Sequence, residues 1–468
     1  MSVPPPTLAI IVGSGLAGLS AASQLIAHGI TVYLLERSAK TGGNSIKASS
    51  GINGAPTKYQ PFPDASFYED TVKSVGSVIS TSTKKRESLI SALTSSSAAA
   101  IDWLVEEKGV DLSVVAQLGG HSLPRTHRGA GKLPPGASIV TTLLKALKEN
   151  PLFHLETESL VTKVIKEKDV VRGIEYTFKG ETKFLNGPVI FTSGGFGGDA
   201  KGMLAKYRPD LARFPSTNEA RPGSQNLLTS VGAQLLDMEL VQVHPTSFVD
   251  PNDVLNPVKF LAAEILRGEG GILLFDGKRF VNEMDTRKAV TNAITHLPAE
   301  EESPKQWHVQ IVLDEATHKK TSSHVDFYLW KGLMRMTTIG ELAEQFPDTA
   351  MKTFENYAEI AAGQSEDALG RKSFGSWSMS DITRDTIIYV GRITPAVHFT
   401  MGGVVISEQG EVLNAEERPI KGLWAAGEVT GGIHGENRLG GSSLLECVVF
   451  GRIAGDQVAK SFDESDLK

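Results

Sequence analysis

The chain has little sulfur chemistry and no sign of a membrane segment. Its 468 residues include a single cysteine, Cys447. One cysteine cannot form a disulfide within the chain, nor the paired-cysteine motif that attaches haem. No apolar run reaches 18 residues, so we expect no membrane partner. The opening residues 1–6 lack the pattern of a signal or transit peptide. Together these absences predict a protein of the reducing cytoplasm.

Positive charge is also in short supply. There are 47 Lys and Arg against 54 Asp and Glu, which gives a formal charge of −7. No run of basic residues stands out, so nucleic acid is not an expected partner. We also expect no metal site. Glycine, by contrast, is abundant at 47 residues and concentrates in motifs. Such clusters are typical of backbone that lies close to a cofactor.

The clearest glycine motif lies in residues 8–36. An apolar run leads into a turn with G-x-G-x-x-G spacing and then into an alanine- and leucine-rich helical pattern. This order predicts a strand, a tight turn and a helix whose N-terminus faces a pyrophosphate. A second predicted strand ends at Glu36, whose carboxylate can accept hydrogen bonds from a ribose. The segment predicts a dinucleotide site but does not distinguish NAD from FAD.

Small residues dominate residues 42–45 and 48–54. Backbone of this kind can lie flat against a planar ring system, which a flavin needs and NAD does not. Ordinary Gly/Ser loops have the same composition. The composition alone therefore leaves both interpretations open.

Two more apolar strands run into glycines far along the chain, at residues 189–198 and 423–428. Strands of this type, separated by hundreds of residues, indicate one nucleotide-binding sheet that an inserted domain interrupts. We predict an α/β protein with a first part of the cofactor domain at 1–240, the insertion at 241–397 and a second part at 398–468.

Short blocks along nearly the whole chain resemble the fumarate reductase and succinate dehydrogenase flavoprotein family, and within it the soluble, single-chain yeast type. The blocks are residues 42–45, 193–197, 244–246, 267–268, 279–283, 286–287, 398–403, 426–428 and 437–441. The resemblance implies a Rossmann-like FAD-binding domain of the GR2 type with an inserted α+β capping domain. It also implies FAD as cofactor, fumarate and succinate as substrate and product, and a role in anaerobic redox balance.

A dicarboxylate needs fixed cationic or N–H donors for both of its ends. Arg438 offers a bidentate guanidinium, and His244 and His398 offer imidazoles, each beside glycine-rich or proline-fixed backbone. The resemblance implies that these three bind the substrate, with Thr400 as a further contact. A single histidine beside a proline would be interpreted as a core residue, whereas three matched positions favour a substrate site.

The resemblance gives Arg287 the role of proton donor, fed by Glu264 and Arg267, and also places His244 among the catalytic residues. Guanidinium has a pKa above 12, so such a donor needs a dry, closed site. Glu264 and Arg267 are three residues apart and would share a helix face. Without the resemblance, a structural ion pair would be the interpretation. The implied reaction is reduction of fumarate by a hydride from flavin N5 and a proton from Arg287.

The resemblance also implies a set of FAD contacts. They are Gly13, Ser14, Gly15, Leu16, Ala17, Gly18, Glu36, Arg37, Gly43, Asn44, Ser45, Ser50, Gly51, Gly194, Gly195, Gly427, Glu428, Arg438, Gly441, Ser443, Leu444 and Leu445. The last helix, with Ser442 or Ser443 as N-cap, would direct its N-terminus at the flavin. Asn44 stands where membrane-bound relatives carry a histidine bonded to FAD, so we expect non-covalent FAD.

The chain departs from the family pattern at three places. Residues 221–225 replace a Thr-Gly-Asp-Gly-Gln run, Ala263 replaces a threonine and Lys288 replaces an aspartate. We expect the activity to survive these changes, because the charged and imidazole positions remain.

The chain lacks the haem segment of bacterial flavocytochrome relatives, so we expect electrons from free reduced FMN or FAD, or from a flavin reductase. Alternatives are an L-aspartate oxidase, another FAD-dependent enoate or dicarboxylate oxidoreductase, and a flavin-binding subunit that works only in a larger assembly.

Overall fold

The computed structural model describes residues 8–80, 83–131 and 133–465, so the expectation for residues 1–6 lies outside it. The strands are β1 (Leu8–Val12), β2 (Thr31–Leu35), β3 (Ile52–Asn53), β4 (Val114–Ala116), β5 (Thr126–Arg128), β6 (Phe153–Glu156), β7 (Ser159–Glu167), β8 (Val170–Phe178), β9 (Glu181–Asn186), β10 (Val189–Phe191), β11 (Leu235–Leu236), β12 (Val241–Phe248), β13 (Phe260–Leu261), β14 (Ile272–Phe275), β15 (Lys278–Arg279), β16 (Ala299–Glu300), β17 (Gln306–Trp307), β18 (Val309–Leu313), β19 (Arg335–Thr338), β20 (Ile387–Thr400), β21 (Gly403–Val405), β22 (Glu411–Leu413), β23 (Pro419–Ala425) and β24 (Thr430–Gly431).

The helices are α1 (Leu16–Ala27), α2 (Phe67–Val75), α3 (Thr83–Ser95), α4 (Ser97–Asp102), α5 (Pro135–Lys148), α6 (Met203–Tyr207), α7 (Gln225–Thr229), α8 (Ile265–Gly268), α9 (Arg287–Thr295), α10 (Glu315–Lys320), α11 (Ser322–Trp330), α12 (Ile339–Gln345), α13 (Ala350–Ala361) and α14 (Ser442–Ser465).

The largest sheet has the order β6-β2-β1-β10-β23-β8-β7, with parallel pairing from β6 through β23. The predicted strand, turn and helix are β1, the 13–15 turn and α1, and the distant strands 189–191 and 419–425 pair beside them. Strands in such a sheet are covered on both faces, so their sequences are continuously apolar. The predicted Rossmann-like α/β fold is confirmed.

Strands β7, β8 and β9 form a meander, because they pair antiparallel in sequence order. β8 also meets β23 at one position, Lys421 opposite Val170. The meander therefore extends one side of the largest sheet.

A second sheet has the order β13-β12-β20-β18-β14-β15, with β19 paired to β20. All of these pairs are antiparallel. A separate apolar core with Phe248, Trp307 and Ile393 packs against this sheet. The proposed limits of the capping domain at 241 and 397 fall near the start of β12 and the end of β20.

In the described part of the chain, no single helix is long and apolar enough to cross a membrane. One helix pair, Lys85–Ser95 with Ser97–Glu107, meets the criterion of length and composition but is bent by 44°. The same residues contain no group of three or more His, Cys, Asp or Glu side chains that could hold a metal ion.

Candidate active site

Two predicted substrate histidines lie side by side on neighbouring strands. His244 is on β12 and His398 on β20, and β12 pairs with β20 through Val243 and Val397. Their ring centroids are 5.4 Å apart in an edge-to-face arrangement. His244 is fully buried, with Nδ1 held 2.8 Å from the Thr246 carbonyl oxygen. Nε2 of His244 is buried without a protein partner.

His398 is fixed by a residue that the sequence did not predict. Its Nδ1 lies 2.9 Å from the hydroxyl of Thr217. Burial lowers the pKa of both histidines well below the usual value; for His244 the nearby cations of Arg287 and Arg267 act in the same direction, and for His398 its neighbour His244 and then Arg287 do. Both imidazoles are therefore neutral near pH 7 and can donate or accept without adding charge.

The two arginines of the predicted site meet at one oxygen atom. Gln242 Oε1 accepts a hydrogen bond from Arg287 Nη1 at 2.9 Å and another from Arg438 Nη2 at 3.0 Å. Sequence reasoning did not predict Gln242 as a site residue. A signal was present, because Gln242 precedes His244 by two positions on β12 and alternate residues of a strand share a face.

Arg287 is also paired with Glu264. Nε and Nη2 of Arg287 both donate to Oε2 of Glu264, at 2.8 and 2.5 Å, and the Gly119 N–H donates to Oε1 at 3.3 Å. Burial opposes ionisation of Glu264, but the charges of Arg287 and Arg267 outweigh it and hold its pKa at about 2. Glu264 therefore carries a full negative charge beside the proposed proton donor.

The side chain of Arg267, the third member of the predicted relay, does not hydrogen-bond to the Glu264 carboxylate. Its Nη1 donates to the Glu283 carbonyl at 2.6 Å, while its Nε and Nη2 are buried without partners. The three-residue spacing suggested an ion pair between Glu264 and Arg267. No side-chain hydrogen bond joins the two. Glu264 instead pairs with Arg287, which is distant in sequence.

Arg438 lies over the face of Phe399, with its guanidinium carbon 4.3 Å from the ring centroid. Burial, followed by repulsion from Arg287, lowers the pKa of Arg438 to about 10, so it stays cationic at neutral pH. Its Nε is buried without a partner. An unpaired N–H on a buried cation is costly unless an anion occupies the site.

Thr400, the fourth predicted substrate contact, is bonded to Glu428. Its backbone N–H and its hydroxyl both donate to Glu428 Oε1, at 3.0 and 3.3 Å. Burial raises the pKa of Glu428 to about 7, against the lowering effect of the Thr400 N–H. Thr400 and Glu428 therefore lie in contact at the end of β20.

The glycines of the predicted cofactor site fall into two groups. Gly13 and Gly18 are needed for packing, since a Cβ would lie 2.6 Å from the Thr192 oxygen or overlap the Gly13 oxygen. Gly15, Gly43 and Gly194 instead face open space: the nearest atoms to an added Cβ are 3.5 Å and 4.0 Å away for the first two, and none lies within 4 Å of the third. They form a cradle at the carboxyl ends of β1 and β10, where doubly wound folds bind nucleotides.

The carboxylate predicted for ribose lies at this cradle. Glu36 Oε2 accepts from the Ser14 N–H at 3.0 Å and the Ser14 hydroxyl at 2.6 Å, and Oε1 accepts from the Ser38 N–H at 2.8 Å. A carboxylate has about four lone-pair positions, so capacity remains for a ribose. Ser45 Oγ accepts from the Leu16 N–H at 3.1 Å.

Segment 221–225, which differs from the family pattern, contacts residues that follow the C-terminal end of β2. Arg221 donates to the Ser38 hydroxyl, and Arg37 donates to the Pro222 carbonyl at 2.7 Å. Asn44 is exposed, and its amide donates to Asn218 Oδ1.

The predicted N-cap of the last helix is wrong by one or two positions. α14 begins at Ser442, so Gly441, with φ of +84°, precedes it. Asn53 fixes this turn by donating to the Gly440 carbonyl at 2.8 Å and to Ser442 Oγ at 3.0 Å. Glycine is required at 441, because a Cβ would overlap the Asn53 amide.

A cavity of about 200 Å³ that is open to solvent lies beside the predicted proton relay. Glu264 and Arg267 line it together with Arg128, Asp285 and Lys320. Solvent can thus approach the Glu264 and Arg267 side of the arrangement.

The family model described as FAD binding domain matches residues 9–444. The chain is 42% identical to fumarate reductase 1 of Saccharomyces cerevisiae, over 96% of this chain and 98% of that protein. It is 39% identical to a fumarate reductase of Schizosaccharomyces pombe, over 97% of this chain and 90% of that protein. The open conformation of a flavocytochrome c3 fumarate reductase superposes with a TM-score of 0.77 at 30% identity, covering 98% of this chain and 79% of that one.

The buried pair of Glu264 and Arg287 gives a pH-dependent prediction. Because the folded pKa of about 2 lies below the ordinary 4.5, the pair stabilises the protein above pH 4.5 and loses this effect as the pH falls towards 2. E264Q should lower the free energy of unfolding by roughly 3 kcal/mol at pH 7, and the difference should shrink below pH 4.5.

Urea unfolding of wild type, E264Q and the control E106Q at several pH values measures this difference. Glu106 pairs with exposed Lys58, so E106Q should behave as wild type. A wild-type minus E264Q difference that stays constant from pH 7 to pH 3 would show that the pair does not hold the Glu264 pKa low.

Proposed function

The chain belongs to the FAD binding domain family and is an FAD-dependent oxidoreductase of the fumarate reductase type; on this premise we propose that it reduces fumarate to succinate. The observation that carries the proposal is the meeting of Arg287 and Arg438 at Gln242, beside two neutral histidines. Such a site offers two cations and further polar contacts to a small dianion.

FAD is the cofactor, and the cradle of Gly15, Gly43 and Gly194 fits its binding. When bound, FAD supplies the hydride for the substrate double bond. We propose that Glu36 accepts from the ribose and that the start of α14 lies against the ring. The FAD is non-covalent in this proposal, since the amide of Asn44 cannot form the bond that a histidine forms.

The unpartnered atoms support the proposed substrate contacts. Nε of Arg438 and Nε2 of His244 are both buried and unpaired. A carboxylate oxygen from the substrate would accept from Arg438 Nε, with both histidines beside it. Because Nδ1 of the neutral His244 donates to the Thr246 carbonyl at 2.8 Å, its Nε2 is an acceptor that needs a donor and not a carboxylate oxygen.

Arg287 is the proposed proton donor. When it gives its proton to the substrate carbon, it loses the charge that keeps the Glu264 pKa low. Glu264 then gains affinity for a proton, takes one from the cavity side beside Arg267, and returns it to Arg287 through their hydrogen bonds. Arg287 is buried and does not line the cavity, so its surroundings are dry enough for the proposed transfer to the substrate.

The proposed division of roles follows the domain limits, and the limit at 398 falls within β20 of the second sheet. Residues 1–240 and 398–468 would form the FAD-binding domain, and residues 241–397 the capping domain. In this arrangement the cap contributes His244, Glu264, Arg267 and Arg287, while His398, Thr400 and Arg438 belong to the FAD-binding part. Closure of the two against each other would exclude water from the substrate.

The role of Arg287 can be tested by reoxidation of the reduced flavin. Protein loaded with FAD is reduced with dithionite under nitrogen and mixed with fumarate, and the return of oxidised flavin absorbance is followed. Wild type should be reoxidised rapidly. R287A should be slower by about 10²- to 10⁴-fold, the usual contribution of a general acid.

R335A, at an exposed arginine, is the matched control and should react as wild type. Full-rate reoxidation of R287A would exclude it as proton donor. Failure of wild type to react with fumarate, together with peroxide formation from L-aspartate, would favour the oxidase alternative.

We propose free reduced flavin, or a flavin reductase that supplies it, as the electron donor. The glycine turn at 13–18 is used for FAD, and NADH would need a site of its own. Fumarate turnover should therefore proceed with photoreduced FMN as sole donor and should be absent with NADH alone. Turnover of comparable rate with NADH alone would contradict this proposal.

A further inference from the structure

The loop before Arg438 carries an acid that is fixed from one side. Oε1 of Glu436 accepts from the Ser77 N–H at 3.0 Å and from the Ser77 hydroxyl. The Glu436 N–H donates to the Val75 carbonyl at 2.8 Å, and the Asn437 N–H donates to the Ser74 carbonyl at 3.1 Å. Oε1 of Glu436 is thereby held against the end of α2, while Oε2 has a different partner.

That second oxygen contacts the first turn of α9. Lys288 Nζ lies 3.0 Å from Glu436 Oε2. Lys288 follows the proposed proton donor Arg287, and Glu436 precedes the proposed substrate residue Arg438 by two positions. Arg287 reaches the same loop, since a Cβ on Gly440 would lie 3.4 Å from its Nη2. Of two successive basic residues, Lys288 therefore binds this loop at the surface and Arg287 lies close to it in the interior.

Helix stability does not account for a lysine at this position. The N-terminus of a helix carries partial positive charge, so cations in the first turn are unfavourable. The start of α9 is already capped by the Thr286 hydroxyl, which accepts from the Ala289 N–H at 3.2 Å. The contact that favours Lys288 lies outside its own helix, on Glu436.

The pair also connects the two parts of the molecule. α9 is bonded to the second sheet, because the Thr291 hydroxyl donates to the Val243 carbonyl on β12 at 3.2 Å. Glu436 is bonded to the region around α2, through Ser77 and Val75. The ion pair therefore joins the proposed capping domain to the loop that carries Arg438.

We propose that Lys288 and Glu436 form a positioning contact that holds α9, and with it Arg287, against the Arg438 loop in the substrate-competent arrangement. The proposal rests on the proposed function. Neither residue needs to touch substrate; both act through the arginines beside them. The ion pair is accessible to water, with Lys288 54% and Glu436 29% exposed, so salt should weaken it.

The expected kinetic effect is on substrate affinity. A weaker contact lowers the fraction of molecules in the competent arrangement, and apparent affinity falls by that fraction. Bound substrate restores the arrangement, so kcat should change little. Exposed ion pairs give modest effects, and we expect KM for fumarate to rise about two- to fivefold.

The test uses the full-length, FAD-loaded protein and the variants K288M, E436Q and K288R. Fumarate KM and kcat are measured at low and high salt, and the Kd for succinate is taken from titration of the oxidised flavin spectrum. K288M and E436Q should raise KM and Kd at low salt, leave kcat within twofold, and reduce the salt dependence of both constants to the part that the charge of the dianion itself causes. K288R should retain wild-type values.

K58M is the matched control. Lys58 and Glu106 form an exposed ion pair that involves neither α9 nor the Arg438 loop. It should leave KM and its salt dependence unchanged. Wild-type KM and Kd in K288M and E436Q, with an intact salt dependence, would overturn the proposal. A wild type that neither binds succinate nor turns over fumarate would instead overturn the proposed function.

Discussion

Two buried arginines held by one amide oxygen are the constraint on which the site depends. Arg287 and Arg438 repel each other, and the lowering of the Arg438 pKa to about 10 reflects that repulsion as well as burial. Gln242 Oε1 accepts a hydrogen bond from both, and Glu264 balances the charge of Arg287. The remaining excess of positive charge, together with the unpaired N–H groups, suits a substrate that brings two negative charges.

The fold places these groups where the second sheet meets the loop before α14. β12 and β20 lie side by side in the second sheet and bring together Gln242, His244 and His398. Arg287 enters from the first residue of α9, and Arg438 from the loop before α14. The surface pair of Lys288 and Glu436 continues this contact outward, so that the buried hydrogen bonds and an exposed ion pair hold the same two segments together.

The sequence predicted what depends on local pattern. The glycine spacing predicted β1, the turn and α1. The resemblance of the short blocks assigned His244, His398, Arg287 and Arg438 to one substrate site, and their roles stay a prediction. The sequence did not predict contacts that depend on tertiary structure. These are Gln242 between the two arginines, Thr217 against His398, and Asn53 at the turn before α14. The spacing of Glu264 and Arg267 suggested a local pair, whereas Arg287, distant in sequence, is the partner that Glu264 binds.

Replacement of Gln242 by methionine tests the central claim most directly, because it keeps the length of the side chain and removes the shared acceptor. In the FAD-loaded protein, the Kd for succinate and the rate of fumarate-dependent reoxidation are measured together. The shared acceptor predicts at least a tenfold loss in both, since two buried charge-assisted hydrogen bonds lose their partner. Wild-type binding and reoxidation in Q242M would show that the arginines are positioned without it.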